Sequence, residues 1–329
     1  MDDSPQDGSR QAWFGRHDWR RSWLGPVLIG LAYGLMARLF FGLEVLETLF
    51  GIMTMSFIFL VPMVIGVIAV QWRAKESSWA TAVFFPWVPT LLTIATTLVL
   101  AWEGLICAVV WVPISLVCAS LGGVIGKVAR SSRSPRGLAF ALAALPVVFA
   151  PMENQMPDPV VSRTVLDSIV IEADPETVWR EIREVRPIED HELGNSLAYR
   201  IGFPRPIEAR LEGEGVGSVR YATFGGGVVF IEDVTEWVEN ESIAFTIDAS
   251  AVPSTTFDQH VAVGGRFFDV LSGRYEIEDL GDGRVALHLA SEQRLATRFN
   301  PYTQIWTDRF MSDIQSTILE VVKARAEAV

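Results

Sequence analysis

Apolar residues first come in long unbroken runs and then, from about residue 160, in short alternating stretches. A helix rises ~1.5 Å per residue, so crossing ~30 Å of hydrocarbon takes about 20 mostly apolar residues. Residues 24–41, 52–70, 80–101, 104–126 and 137–152 are runs of this kind. The first carries one charge, Arg38, close enough to its end to snorkel, and the other four carry none. The pattern predicts an N-terminal α-helical transmembrane bundle of about five spans. A segment, 1–23, precedes it and a linker, 153–162, with Pro157 and Pro159, follows. The long polar stretch ahead of the first run, with no small-residue cleavage site before the next, reads as a retained anchor rather than a cleaved signal. Gly30 with Gly34 and Gly122 with Gly126 are small-xxx-small pairs. The frequency of glycine in membrane helices is the simpler account of both.

Residues 163–329 alternate like strands and turns. Arg163–Glu172 is strand-like, and Asp174-Pro175-Glu176 then supplies an N-cap, a first-turn proline and an acid, which start a helix burying Val178, Trp179, Ile182 and Val185. An antiparallel meander follows through Ile207–Leu211, Val219–Thr223, Val228–Trp237, Ile243–Ile247, Ser272–Asp279 and Arg284–Glu292, with Gly225–Gly227 and Gly281-Asp282-Gly283 as turns. Asn300-Pro301 opens a long helix in which Trp306, Phe310, Ile314, Ile318 and Val322 recur every fourth residue. These elements predict an α+β domain whose curved antiparallel sheet wraps the C-terminal helix.

Charge separates the halves further. Residues 1–151 hold 11 Lys/Arg and 8 Asp/Glu, whereas residues 152–329 hold 16 and 31, within a chain whose net charge is −12. So acidic a domain repels phosphate backbones, which excludes nucleic acid as a partner. Arg10, Arg16, Arg20, Arg21, Arg73, Lys75, Lys127, Arg130, Arg133 and Arg136 fall on alternate connections, and the others carry only Glu44, Glu47 and Glu103. Under the positive-inside rule this puts the N-terminus in the cytoplasm of a multi-pass inner-membrane protein, with the acidic domain on the periplasmic side. Four spans instead of five would put that domain in the cytoplasm.

The stretch Ser168–Ile182 (SIVIEADPETVWREI) resembles the opening strand and helix of the START/Bet v 1-like (SRPBCC) superfamily, particularly its polyketide cyclase/dehydrase-type branch. The closing helix fits the same pattern. The resemblance implies a helix-grip fold with a cavity between sheet and long helix, holding an apolar small molecule such as a lipid, isoprenoid or polyketide. Strand alternation offers Val219, Tyr221, Phe245, Ile247, Tyr275, Ile277, Val285, Leu287 and Leu289 to that helix, where Trp306 and Phe310 meet them. A filled core would read the same way. The long connection Ser250–Gly265 is either a lid, with Phe257, His260 and Val261 as its contacts, or a surface excursion.

His17, His191, His260 and His288 form no ligand cluster, and no nucleophile elbow, phosphate loop or dinucleotide fingerprint occurs. Neither metal nor cofactor is therefore expected, and no residue is singled out as catalytic. The leading expectation is a membrane-anchored module that binds a hydrophobic small molecule, with membrane lipids around it. One alternative is a cyclase or dehydrase using Tyr221, Tyr275, His260 or nearby carboxylates. Another is a structural or sensory part of an envelope complex with a protein partner.

Overall fold

A computed structural model describes residues 23–46, 48–73, 78–130, 135–252 and 262–328. The N-terminal half is built from α1 (Leu24–Phe41), α2 (Val61–Gln71, entered through a π-helical turn at Ser56–Leu60), α3 (Trp79–Phe84), α4 (Trp87–Val99), α5 (Leu105–Ala129) and α6 (Pro135–Asn154). Among the described residues four stretches are long and apolar enough to cross a membrane: Leu24–Phe41, Trp79–Val99, Leu105–Ala129 and Gly137–Asn154. The run that hydropathy starts at Ile52 forms only the shorter helix Ser56–Gln71. Thr54 Oγ1 donates to Gly51 O at 2.6 Å and accepts from Phe57 N at 3.2 Å, a local turn that delays the helix.

Arg38 does not snorkel. It is buried, pairs with the Glu103 carboxylate and donates to Trp102 O at 2.6 Å. Glu103 and Trp102 come from the α4–α5 connection, so the charge at the end of α1 is met locally and needs no route to water. The glycines also do more than composition implies. A Cβ at Gly122 would lie 1.8 Å from Met63 O, and one at Gly66 2.0 Å from Ala119 O, so the backbones of α2 and α5 touch. Gly34 packs on Thr93 in the same manner, with 2.6 Å from its virtual Cβ to Oγ1.

Among the described residues of the second half, β1 (Val161–Ile171), β2 (Pro206–Glu212), β3 (Val219–Phe224), β4 (Val228–Val238), β5 (Ser242–Asp248), β6 (Phe268–Gly281) and β7 (Arg284–Leu295) form one antiparallel sheet in the order β1-β7-β6-β5-β4-β3-β2. Between β1 and β2 lie α7 (Pro175–Arg183) and α8 (Leu197–Arg200), and α9 (Asn300–Glu327) closes the chain along the sheet's concave face. This is the helix-grip architecture the pattern predicts. Asp174 starts α7 by accepting from Thr177 N at 2.9 Å, and Val178, Trp179 and Ile182 bury against Ile277, Val285, Leu287, Leu319 and Val322. That cluster fills one end of the space between sheet and α9.

At the far end of α9, Arg325 clamps the segment after α7. Its Nε and Nη2 reach the two oxygens of Glu192 at 2.6 and 2.8 Å, and its guanidinium also donates to Arg186 O and Pro187 O. The Arg325 hydrogen bond holds the Glu192 carboxyl at about 2, below its ordinary 4.5. A carboxyl depressed on folding contributes stability that is present above its unfolded pKa and lost as pH falls towards its folded one. Melting of the full chain between pH 5 and pH 2 is therefore expected to fall more steeply than in a Glu192→Gln variant. Parallel curves for the two proteins would remove the clamp from the stability account.

The halves are strapped together at one end of the bundle. Glu153, at the end of α6, accepts from Ser56 N at 3.0 Å and Ser56 Oγ at 2.8 Å and lies 3.5 Å from Arg298 Nη1. Arg298 also pairs with Asp158, Asn300 Nδ2 donates to Pro159 O, and Tyr302 OH donates to Val110 O on α5 at 2.5 Å. The stretch expected as a linker is thus held from both sides.

Candidate functional site

The end of the grip that faces the bundle is hollow. A cavity of about 330 Å³ opens between the concave face of the sheet, the first half of α9 and the apolar helices. Its lining from the domain includes Phe224, Phe230, Phe245, Ile247, Tyr275, Leu289, Trp306, Phe310, Ile314 and Ile318. The bundle contributes Ile52, Met53, Phe57, Ile106, Cys107, Val110, Trp111 and Ile114. Phe57 and Trp111 stack with ring centroids 5.4 Å apart, and Trp306 meets Phe310 at 5.7 Å, so aromatic plates stand on both sides of the space.

Six of the residues proposed from the sequence, Phe245, Ile247, Tyr275, Leu289, Trp306 and Phe310, come together on this cavity. Ile277 and Leu287 also point inward but sit in the filled end, packed under α7, as does Val285. One sheet face therefore serves as core at one end and as cavity wall at the other. Val219 and Tyr221 need correction. The strand positions that line the cavity are Arg220, Ala222 and Phe224, which turns Val219 and Tyr221 to the convex side, where Arg210 lies 5.8 Å from the Tyr221 ring centroid. Phe257, His260 and Val261 lie outside the described residues. His288 faces away from the cavity, bonded to Ser168 Oγ at 2.6 Å, and His191 is exposed beside Glu189.

On the sheet side the apolar wall is broken by a buried ion pair. Arg220 on β3 and Glu232 on β4 are direct cross-strand partners, because the hairpin turns at Gly225–Gly227 with Gly226 at φ 73°. Arg220 Nη1 donates to Glu232 Oε2 at 2.5 Å, and the side chains are 4% and 7% exposed. The guanidinium also stands 5.2 Å from the Phe245 ring centroid and 5.9 Å from that of Tyr275. Burial pushes the Glu232 carboxyl above its ordinary range, against the lowering by Arg220. Among the described residues, no group of three or more His, Cys, Asp or Glu is placed to hold a metal ion.

No family model and no curated protein matches the chain. Solved structures do resemble it in part. A truncated norcoclaurine synthase from Thalictrum flavum aligns over 50% of this chain and 92% of its own at 9% identity, with a TM-score of 0.32. The Aha1 dimer from Colwellia psychrerythraea aligns over 50% and 96% at 13% identity and a TM-score of 0.28. A protein from Thermus thermophilus aligns over 50% and 98% at 16% identity and a TM-score of 0.34. The fold assignment rests on the chain's own sheet order and closing helix.

Proposed function

We propose that this chain is a membrane-anchored binding module that holds a hydrophobic small molecule, a lipid, isoprenoid or polyketide-like compound, in its cavity. The observation that carries the reading is the shared wall: helices apolar enough to lie in a bilayer complete a pocket that the sheet and α9 leave open. An apolar ligand can pass from lipid into such a space without crossing water, which is the main cost of moving it. Membership of the SRPBCC superfamily, through the motif Ser168–Ile182, belongs to the same proposal.

So does the orientation, with the N-terminus cytoplasmic, five crossings that count the shorter apolar helix Ser56–Gln71 beside the four long ones, and the domain on the periplasmic face. It is supported by where the domain docks, at the end of the bundle where α1 and α4 finish and α5 begins. Arg130 marks the opposite end, donating to Val70 O at 2.6 Å beyond the last turn of α5. A reporter fused after Val329 and active only in the periplasm is the expected result, and cytoplasmic activity would overturn this placement.

The test of binding is solvent extraction and mass spectrometry of the full chain purified in mild detergent. An apolar compound should accompany the unmodified protein, and Ile247→Trp, which fills the cavity, should reduce its recovery about tenfold, equivalent to ~1.4 kcal/mol of affinity. If nothing apolar is recovered and added fluorescent lipids fail to bind, the module is not a hydrophobic-ligand carrier.

A further inference from the structure

Part of the cavity wall is one helix thick. α5 carries a stripe of exposed apolar side chains at every fourth position, Val117, Leu121 and Ile125, on the face that a bilayer would cover. Continued outward, the stripe reaches Pro113, which is exposed, and Leu105, which is 50% exposed. The neighbouring face of the same outer turns presents Ile106, Cys107, Val110 and Trp111 to the cavity. From Leu105 to Val112 the helix itself is therefore the partition between the two. This outer segment is also held differently from the rest of α5. Pro113 lies inside the helix and lacks the N–H that would meet Val109 O, which makes it the place where α5 can bend. One buried residue of α5, Ala108, precedes Pro113, and seven follow it, where glycine contacts fix the helix on α2 and α3. Towards the bundle the outer segment keeps the Glu103–Arg38 pair at its start and the Trp111–Phe57 stack. Towards the domain, the Tyr302 hydroxyl on α9 donates to Val110 O at 2.5 Å, in the turn that Pro113 breaks.

We propose that the outer segment of α5 is the gate through which an apolar molecule passes between bilayer and cavity: it parts from α9 by bending at Pro113, and Tyr302 is the latch that holds it shut. This rests on the binding-module reading above and gives that site its route of exchange. One hydrogen bond suits a latch, because its net worth is small enough for thermal motion to break and large enough to bias the closed state. The ties to Arg38 and Phe57 keep the segment with the bundle as it parts from the domain, and the glycine contacts beyond Pro113 keep the bundle whole.

The experiment uses the full chain in nanodiscs with tritiated oleyl alcohol as the probe, and reads the rates at which counts above those of protein-free discs are gained and lost. Tyr302→Phe keeps the ring and removes only the donor, so it should speed uptake and release alike by about two- to tenfold, the worth of one hydrogen bond. Pro113→Ala returns one bond to the helix ladder and should slow both rates by a similar factor. Rates that Tyr302→Phe leaves unchanged, or release that quickens without uptake as loss of a ligand contact would make it, would overturn the latch while leaving the cavity reading in place. Rates untouched by Pro113→Ala would overturn the bending point, and with it the gate. No counts retained by the unmodified chain above protein-free discs would overturn the cavity reading itself.

Discussion

Replacing Gly122 by alanine is expected to destabilise the helical bundle by about 3 kcal/mol or more, the upper end of what overpacking a well-packed interface costs. The added methyl would sit 1.8 Å from Met63 O, and a backbone carbonyl cannot turn aside as a side chain can. Gly66 makes the reciprocal contact on Ala119 O, and Gly123, one residue along, lies against Ala82 O on α3. α5 therefore packs against two neighbours through adjacent glycines, and separating it from α2 also disturbs α3. The effect should be graded. At Gly126 the nearest atom, Val67 O, is 3.0 Å from the virtual Cβ, and at Gly51 the nearest is a Thr54 methyl at 3.8 Å. Denaturation of the full chain in detergent, followed by tryptophan fluorescence, should rank Gly122→Ala below Gly126→Ala and leave Gly51→Ala near the unmodified protein. Equal midpoints for Gly122→Ala and Gly51→Ala would show that the helices do not meet through these glycines.

Those contacts show what a pattern can and cannot carry. The start of α7 is legible because Asp174, Pro175 and Trp179 act within one turn. The stripe Trp306-Phe310-Ile314-Ile318 is legible because a helix repeats. The Gly122–Gly126 spacing permits a close approach, but whether Gly122 touches anything is decided by where another helix passes. The cavity divides along the same line. Its domain wall follows from strand alternation, while its bundle wall, Val110 to Ile114, reads as ordinary membrane-spanning sequence. Hollow and filled ends of one sheet face, Tyr275 against Ile277, differ only in what α7 covers.

The error at Val219 and Tyr221 is more instructive, since the information was present. Taking the apolar member of each alternating pair as the inward one fails where a cavity wall carries charge. The hairpin around Gly226 pairs residue 220 with 232 and residue 222 with 230, so opposite charges at matched positions could have been read as one buried partnership. Arg220, Ala222 and Phe224 then take the inner face together.

That partnership sets the second large effect, since Arg220→Met is expected to destabilise the protein by about 3–5 kcal/mol at neutral pH, the cost of leaving a buried ion without its partner. Glu232 would remain 5% exposed among Phe230, Phe245 and Tyr275 with no cation to answer it. Its escape is to take up a proton. Burial already holds this carboxyl above the ordinary 4.5, and removing Arg220 takes away the lowering that opposes it. When the folded pKa lies above the unfolded one, the folded state binds more protons between the two. Stability is then intact below the unfolded value and falls as pH rises through the folded one. The variant should therefore be closest to the unmodified chain near pH 4.5 and progressively weaker towards pH 7 and beyond. Adding Glu232→Leu should restore most of the loss and flatten the pH dependence, because well-packed apolar residues commonly replace a buried pair at little cost. Thermal melts of the three proteins at pH 5 and pH 7 decide the matter. A single variant that melts with the unmodified chain at both values would mean that Glu232 finds another partner or water, and that the pair does not seal this end of the cavity.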